Sequence, residues 1–326
     1  VPDSPIAPPA DVVMVLPPGR TVFGMQLPVQ SQSTIYVEPW EATAGPDELA
    51  RVALACEAAG FFYVGVCDHT FIPERLAGAM STVWYDTVAT LGWLAGVTSE
   101  IRLLSHIYVA ALRHPLRAAK EFSTIDVLSS GRVICGVGAG HVNEEFDLMA
   151  PEFSARGPAT DEAISGMALA MTEEFPELPG PRWPASGMGL KPRPVQSPRP
   201  PIWVGGSSPA ALRRTARYAD GWLPQSVGPN LELLATLREL RAEHRAGAPL
   251  DIGAISYPLY LGTPPSDNEL PPGTVQGSPD QLVEYLVPFA EAGVGQVQVR
   301  FPAHSLDELC DQIARFGAEV APHVVG

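Results

Sequence analysis

Apolar runs of strand length alternate along this chain with segments whose apolar residues recur every three or four positions. The runs at 21–28 (TVFGMQLP), 61–69, 101–110, 132–140, 202–206, 221–225, 251–262 and 296–301 read as strands. The segments near 46–59, 82–98, 113–129, 156–175, 209–219, 229–247, 278–293 and 305–321 read as helices. Strict alternation of this kind implies parallel strands joined by crossover helices. Runs such as VICGV are apolar throughout, as expected of strands covered on both faces. Eight such units close into a (β/α)8 TIM barrel, an α/β fold whose active sites lie at the C-terminal ends of the strands. An open doubly wound sheet is the other arrangement, and it would usually have fewer units.

A length of 326 residues with 46% hydrophobic content suits one such barrel and rules out a disordered chain. Residues 21–326 are expected to form a single catalytic domain. Residues 1–20, with no charged leader and only a five-residue apolar run, are expected to form a loose arm, neither signal peptide nor membrane span. Two long segments break the rhythm and are expected to serve as lids or pocket walls. One is 176–201, with nine prolines in 26 residues, and the other is 263–277. The loop 29–45, with Tyr36 and Trp40, follows the first strand and belongs to the catalytic face. A formal charge of −15 argues against a nucleic-acid partner. Lys120 and Lys191 are the only lysines, so an anionic ligand would be held mainly by amides, hydroxyls or arginine. Cys56, Cys67, Cys135 and Cys310 make no CxxC pair, which fits a reducing cytoplasm.

Three stretches carry candidate chemistry. In CGVGAGHV the third glycine of a dinucleotide fingerprint would fall at 141, which is His141, so that motif fails. Gly136, Gly138 and Gly140 read instead as a strand end stripped of side chains, against which a flat ligand can lie. In IWVGGSSPAAL, Gly205-Gly206 end the fifth strand, and Ser208-Pro209 have the cap and first-turn residues of a helix. Free amides there, with the hydroxyls of Ser207 and Ser208, suit a phosphate; an ordinary capped helix is the other reading. In VCDHTF, Asp68 and His69 end the second strand at the barrel mouth. His69 suits acid–base work or a structural hydrogen bond. His106 and His141 reach the same rim, and Arg113 opens the third helix. The first strand has no His-x-His pair, and no H-x-x-x-H cluster appears elsewhere, so no metal site is expected. No G-x-S-x-G elbow is present.

Taken in order, AGFFYVGVCDH, IRLLSHIYVAALRHPLRAAKEFSTIDVLSSGRVICGVGAG, KPRPVQSPRPPIWVGGSSPAALRRTARYADGW and GSPDQLVEYLVPFAEAGV resemble the bacterial luciferase-like superfamily, in its branch that uses the deazaflavin coenzyme F420. The resemblance runs from about 21 to 320. It implies an oxidoreductase that passes a hydride between the deazaflavin and a small organic substrate, with His69 first and His141 second for acid–base work. The ring would lie against Asp68 and His69, with Gly138, Ala139 and Gly140 beside it and the phosphate at Gly205, Gly206, Ser207 and Ser208. It also implies a non-prolyl cis peptide at Ser105-His106 behind the ring, and a possible homodimer. Two departures stand out. His141 occupies the place of a glutamate proton donor in the sugar-phosphate dehydrogenases of this branch. A tryptophan expected shortly after His69 is replaced by Thr70-Phe71-Ile72-Pro73, which argues against sugar-phosphate oxidation. Ala139 stands where FMN-using relatives have an arginine, which favours the deazaflavin. An FMN-dependent monooxygenase and a non-catalytic flavin-binding relative are the alternatives.

Overall fold

Eight parallel strand positions pair side by side until the last meets the first. The computed structural model describes residues 7–34, 37–149, 152–265 and 269–325. In chain order the strands are β1 Val22–Gln26, β2 Tyr63–Val66, β3 Arg102–Ser105, β4 Tyr108–Val109, β5 Val133–Gly138, β6 Ile202–Gly205, β7 Gly221–Leu223, β8 Asp251–Ile255, β9 Leu259–Leu261, β10 Val275–Gly277 and β11 Gln296–Gln298. The helices are α1 Pro46–Ala58, α2 Glu74–Met80, α3 Thr87–Val97, α4 Pro115–Leu128, α5 Asn143–Met149, α6 Arg156–Thr172, α7 Pro209–Tyr218, α8 Leu231–His244, α9 Pro279–Glu291 and α10 Leu306–Glu319. The sheet runs β3-β2-β1-β11-β8-β7-β6-β5-β4, and β3 also pairs with β5, so the barrel is closed. All eight expected helices are present. The short α2 and α5 are additions on the loops that follow β2 and β5.

The expected strand at 101–110 is broken by a cis peptide at His106-Ile107, and β3 and β4 lie on either side of it. The expectation of Ser105-His106 is therefore corrected by one residue. The expected strand at 251–262 is also two strands. β8 belongs to the barrel, whereas β9 pairs with β10 in a separate two-stranded sheet.

Large and absent side chains alternate across the barrel interior. The rings of Tyr63 and Trp203 meet edge to face at 6.1 Å, and both are fully buried. A methyl group at Gly24 would lie 2.2 Å from the Tyr63 ring, and one at Gly221 would lie 2.3 Å from Trp203. These glycines leave the space that the two rings fill, which gives close packing without a pore.

The arm before β1 is not loose where the structure describes its contacts. Val15 and Leu16 pack against the interior cluster of Tyr63, Leu104, Ile134, Trp203 and Leu223. Asp251 accepts hydrogen bonds from the Val15 and Leu16 amides and from Trp203 Nε1, while Asp220 accepts from the Val13 amide. Two buried carboxylates thus hold the arm: Asp251 through the Val15 and Leu16 amides, and Asp220, already paired with Arg199, through the Val13 amide. The segment 176–201 also departs from expectation. Glu162 on α6 accepts from the amides of Arg182 and Trp183, and Asp126 on α4 accepts from those of Val195 and Gln196. These bonds tie it to the outer helices, and Trp183 packs against Val109, Leu112 and Phe146. Among the described residues, no helix is long and apolar enough to cross a membrane.

Candidate functional site

A cavity of about 390 Å³ opens at the C-terminal ends of the strands. Met25, Leu27, Ile107, Leu223, Ile255, Val299 and Phe301 supply its apolar surface. Gln26, His106 and Gln298 supply neutral polar groups, and Glu38 and Arg300 a charged edge. The loop after β1 contributes Ser31, Glu38, Trp40 and Glu41, as expected of 29–45; Tyr36 lies outside the described residues. No residue of 176–201 lines it, nor does any described residue of 263–277, of which 266–268 lie outside the described residues.

Of the expected site residues, His106 and Gly205 line this cavity. His106 is held neutral at pH 7, because burial lowers its pKa to about 4. The glycines of β5 have a different task from the one expected. A methyl group at Gly136 would lie 2.0 Å from the Ser105 carbonyl oxygen, and one at Gly138 would lie 2.2 Å from Ile107 Cδ1. On the next strand, Gly205 would clash with the same Ile107 carbon at 2.4 Å. The space these glycines leave is filled from within, by the chain on either side of His106. A flat ligand would therefore lie on Ile107 rather than on bare β5 backbone. Gly140, with φ of +73°, turns the chain toward α5, and Ala139 beside it is half-buried.

Asp68 is fixed from several sides. Its carboxylate accepts from the Val109 amide at 2.7 Å, from Thr87 Oγ1 at 3.0 Å and from both terminal nitrogens of Arg113. Arg113 in turn lies over the Tyr108 ring at 4.4 Å. Asp68 thus ties the end of β2 to the β4 segment and the turn before α4. Ser105 is buried, and its hydroxyl donates to the Gly136 carbonyl. Both side chains serve the frame of the site.

His69 adjoins the cavity without lining it. Its Nδ1 lies 2.9 Å from Glu145 Oε2 on α5, and Glu145 Oε1 accepts from the Thr70 amide at 2.7 Å. Burial pushes the Glu145 carboxyl up, but the hydrogen bonds from His69 and Thr70 outweigh it, and its pKa falls below the ordinary value. An ionised Glu145 makes Nδ1 the donor and leaves Nε2 as the free ring nitrogen. The ring meets Trp84 edge to face at 4.6 Å and His141 at 5.2 Å. Trp84 is bridged to Ser31, a cavity residue. A carboxylate and a tryptophan thus lie beside His69, although neither stands at the positions where the sequence departs from the sugar-phosphate dehydrogenases. Glu145 comes from one turn beyond His141, and Trp84 from the loop before α3. Partial desolvation at the rim, with the neighbouring His69 imidazole, lowers the His141 pKa.

Gly205 is where the cavity meets the start of α7. Ser208 caps that helix, its Oγ accepting from the Ala211 amide at 3.2 Å. Ser207 Oγ accepts from the Gln225 amide at 2.9 Å and lies 3.2 Å from Ser226 Oγ. The serines are thus partly committed to the protein, and the first-turn amides carry the positive end of the helix. A planar ring with an anionic tail would fit these residues, since the apolar lining reaches Gly205 just before the free first-turn amides of α7. Glu38 and Arg300, 3.7 Å apart, were not foreseen. Burial raises the Glu38 carboxyl against the opposing pull of Arg300, and Glu41 raises it further.

Known proteins bear on these features. The profile of the luciferase-like monooxygenases matches residues 21–267. An F420-dependent glucose-6-phosphate dehydrogenase of Nakamurella multipartita is 32% identical over 217 residues, which is 64% of this chain and 61% of that protein. The 5,10-methylenetetrahydromethanopterin reductase of Methanopyrus kandleri is 28% identical over 73% of this chain and 71% of its own. In fold, the chain resembles a type II Baeyer-Villiger monooxygenase from a Pseudomonas putida plasmid, solved in complex with FMN. The TM-score is 0.70 at 16% identity, over 96% of this chain and 99% of that one.

Proposed function

The chain belongs to the luciferase-like monooxygenase family, and within it we propose a deazaflavin-dependent oxidoreductase acting on a small organic substrate. The observation that carries this reading is the continuity at Gly205 between the apolar cavity and the amide end of α7. Similarity to an F420-dependent glucose-6-phosphate dehydrogenase supports the choice of cofactor. The bound deazaflavin supplies the hydride chemistry. The chain's own residues do the rest. Ile107 and its apolar neighbours take the ring, and the first turn of α7, with Gly206, Ser207 and Ser208, takes the anionic tail. Trp40, Glu38 and Arg300 border the substrate end. His69 moves a proton at Nε2, with Glu145 holding the ring in the tautomer that this requires. The cavity's apolar walls exclude water from the reacting groups.

An FMN-dependent monooxygenase is the second reading, favoured by the fold shared with an FMN-bound enzyme. A helix N-terminus accepts either phosphate. Spectral titration with each cofactor separates the two. Binding of the deazaflavin in preference to FMN supports the first, and the reverse preference supports the second.

A further inference from the structure

Three neutral polar side chains line one side of the barrel-mouth cavity. His106 follows the end of β3, Gln26 ends β1 and Gln298 ends β11, and Arg300 lies two residues further on at the charged edge. β2 adds no side chain to this lining; a methyl group at Gly65 would lie 3.1 Å from His106 Cβ. The opposite wall is apolar, built by Ile107, Leu223 and Ile255. On β11 the inward side chains are Gln296 and Gln298, two residues apart. Gln296 Oε1 accepts from Tyr63 OH at 2.9 Å. Gln298 Oε1 is buried and receives no hydrogen bond from any described residue. A buried acceptor without a donor is a net cost to the fold, so two like side chains on one strand differ in what satisfies them. In the ladder, Gln298 lies opposite Gly24, and the next inward side chain of β1 is Gln26.

We propose that Gln298, with Gln26 beside it, is a recognition pair for a planar ligand group that carries an N–H next to a C=O, the edge of a lactam or imide. A primary amide presents one acceptor and one donor side by side in a plane, the complement of such an edge. The terminal torsion of glutamine is soft, so either end of the amide can be turned to the ligand. A carboxylate or phosphate would offer no donor to Oε1, and a hydrocarbon would leave both amide ends unmet. The group belongs either to the ring of the cofactor or to the substrate. The inference rests on the deazaflavin reading only for its choice of probe.

The test compares the unaltered chain with Gln298→Leu and Gln26→Leu, titrated with F420 and separately with FMN, and melted without ligand. Gln298→Leu is expected to weaken deazaflavin binding at least about tenfold, the loss of one good polar contact, and Gln26→Leu to weaken it less. Unchanged cofactor binding with a tenfold rise in KM assigns the edge to the substrate and also supports the pair. Cofactor binding and KM both within about twofold of the unaltered chain overturn it. So does a ligand-free Gln298→Leu that melts more than about 5 °C lower, a shift of roughly 1–2 kcal/mol in a chain this long, because the amide would then serve the fold. If the unaltered chain binds neither cofactor, the deazaflavin reading falls and the ligand-free melting result decides. A Tm at or above that of the unaltered chain then supports a ligand-facing amide.

Discussion

His69 Nδ1 and Glu145 Oε2 are joined at 2.9 Å, and the two side chains are 9% and 1% exposed. The pairing brings the end of β2 together with α5, 76 residues away. It fixes the imidazole tautomer and so decides which nitrogen can work. Replacing His69 by alanine is expected to lower kcat by about 10²–10⁴-fold, the range of a general acid or base. Glu145→Gln keeps the shape and removes the charge. It is expected to lower kcat by about 10–100-fold, with KM nearly unchanged, and Glu145→Asp to restore part of the loss. His141 is exposed at the rim, so His141→Ala is expected to cost less than His69→Ala. Steady-state kinetics of the variants would decide, and full turnover in His69→Ala would remove the dyad from the mechanism.

Asp68 and Arg113 are both largely shielded from water and satisfy each other. Asp68→Ala leaves the guanidinium without its carboxylate and the Val109 amide without its acceptor. The expected loss of stability is about 3–5 kcal/mol, as for other broken buried pairs. Chemical denaturation of the ligand-free chain measures it, and a loss below about 1 kcal/mol would mean that the clamp is not formed.

His106 and Asp251 make opposite contributions to stability in acid. The folded His106 pKa is about 4, against an ordinary value of 6.5. Between those values the unfolded chain binds the proton more readily, so this contribution is lost as pH falls from about 6.5 toward 4. Burial raises Asp251 to about 6 from an ordinary 3.8, so its contribution is present below the lower value and lost as pH rises through the upper one. His106→Asn is expected to flatten the fall in stability between pH 7 and about 4.5, and Asp251→Asn to steepen it. Denaturation midpoints at the two pH values check both signs.

Ile107 packs against the positions that Gly138 and Gly205 leave empty. Gly138→Ala is expected to cost about 1–3 kcal/mol by overpacking. In an Ile107→Ala background the same change should cost little, because the two sites share one space. A double-mutant cycle measures the coupling; additive costs would contradict the packing. Gly136→Ala should be worse than Gly138→Ala, since it meets the Ser105 backbone rather than a side-chain tip.

The barrel was legible because strand-length apolar runs and helical periodicity alternate over the whole chain. Ser208-Pro209 marked the start of α7, because capping is a local matter. The site was legible only in part. Asp68 and His69 stood at a strand end, where position alone is informative. Glu145 is one of two adjacent glutamates that nothing in the sequence singles out, and only folding makes it the partner of His69; the adjoining apolar Phe146, buried with it, is the one local signal. The alternating glycines suggested a close ligand, yet the close neighbour is the chain itself at Ser105 and Ile107. The proline-rich 176–201 segment and the arm before β1 had no readable partners, since these are carboxylates on α4, α6 and the strand starts, distant in sequence.

Spectral titration of the purified chain with F420, and in parallel with FMN, decides the cofactor. F420 is expected to bind saturably and at least about tenfold tighter than FMN, and more weakly when the start of α7 is altered by Ser207→Asp, whose added charge repels an anionic tail. Tight binding of FMN with no response to F420 would contradict the deazaflavin reading.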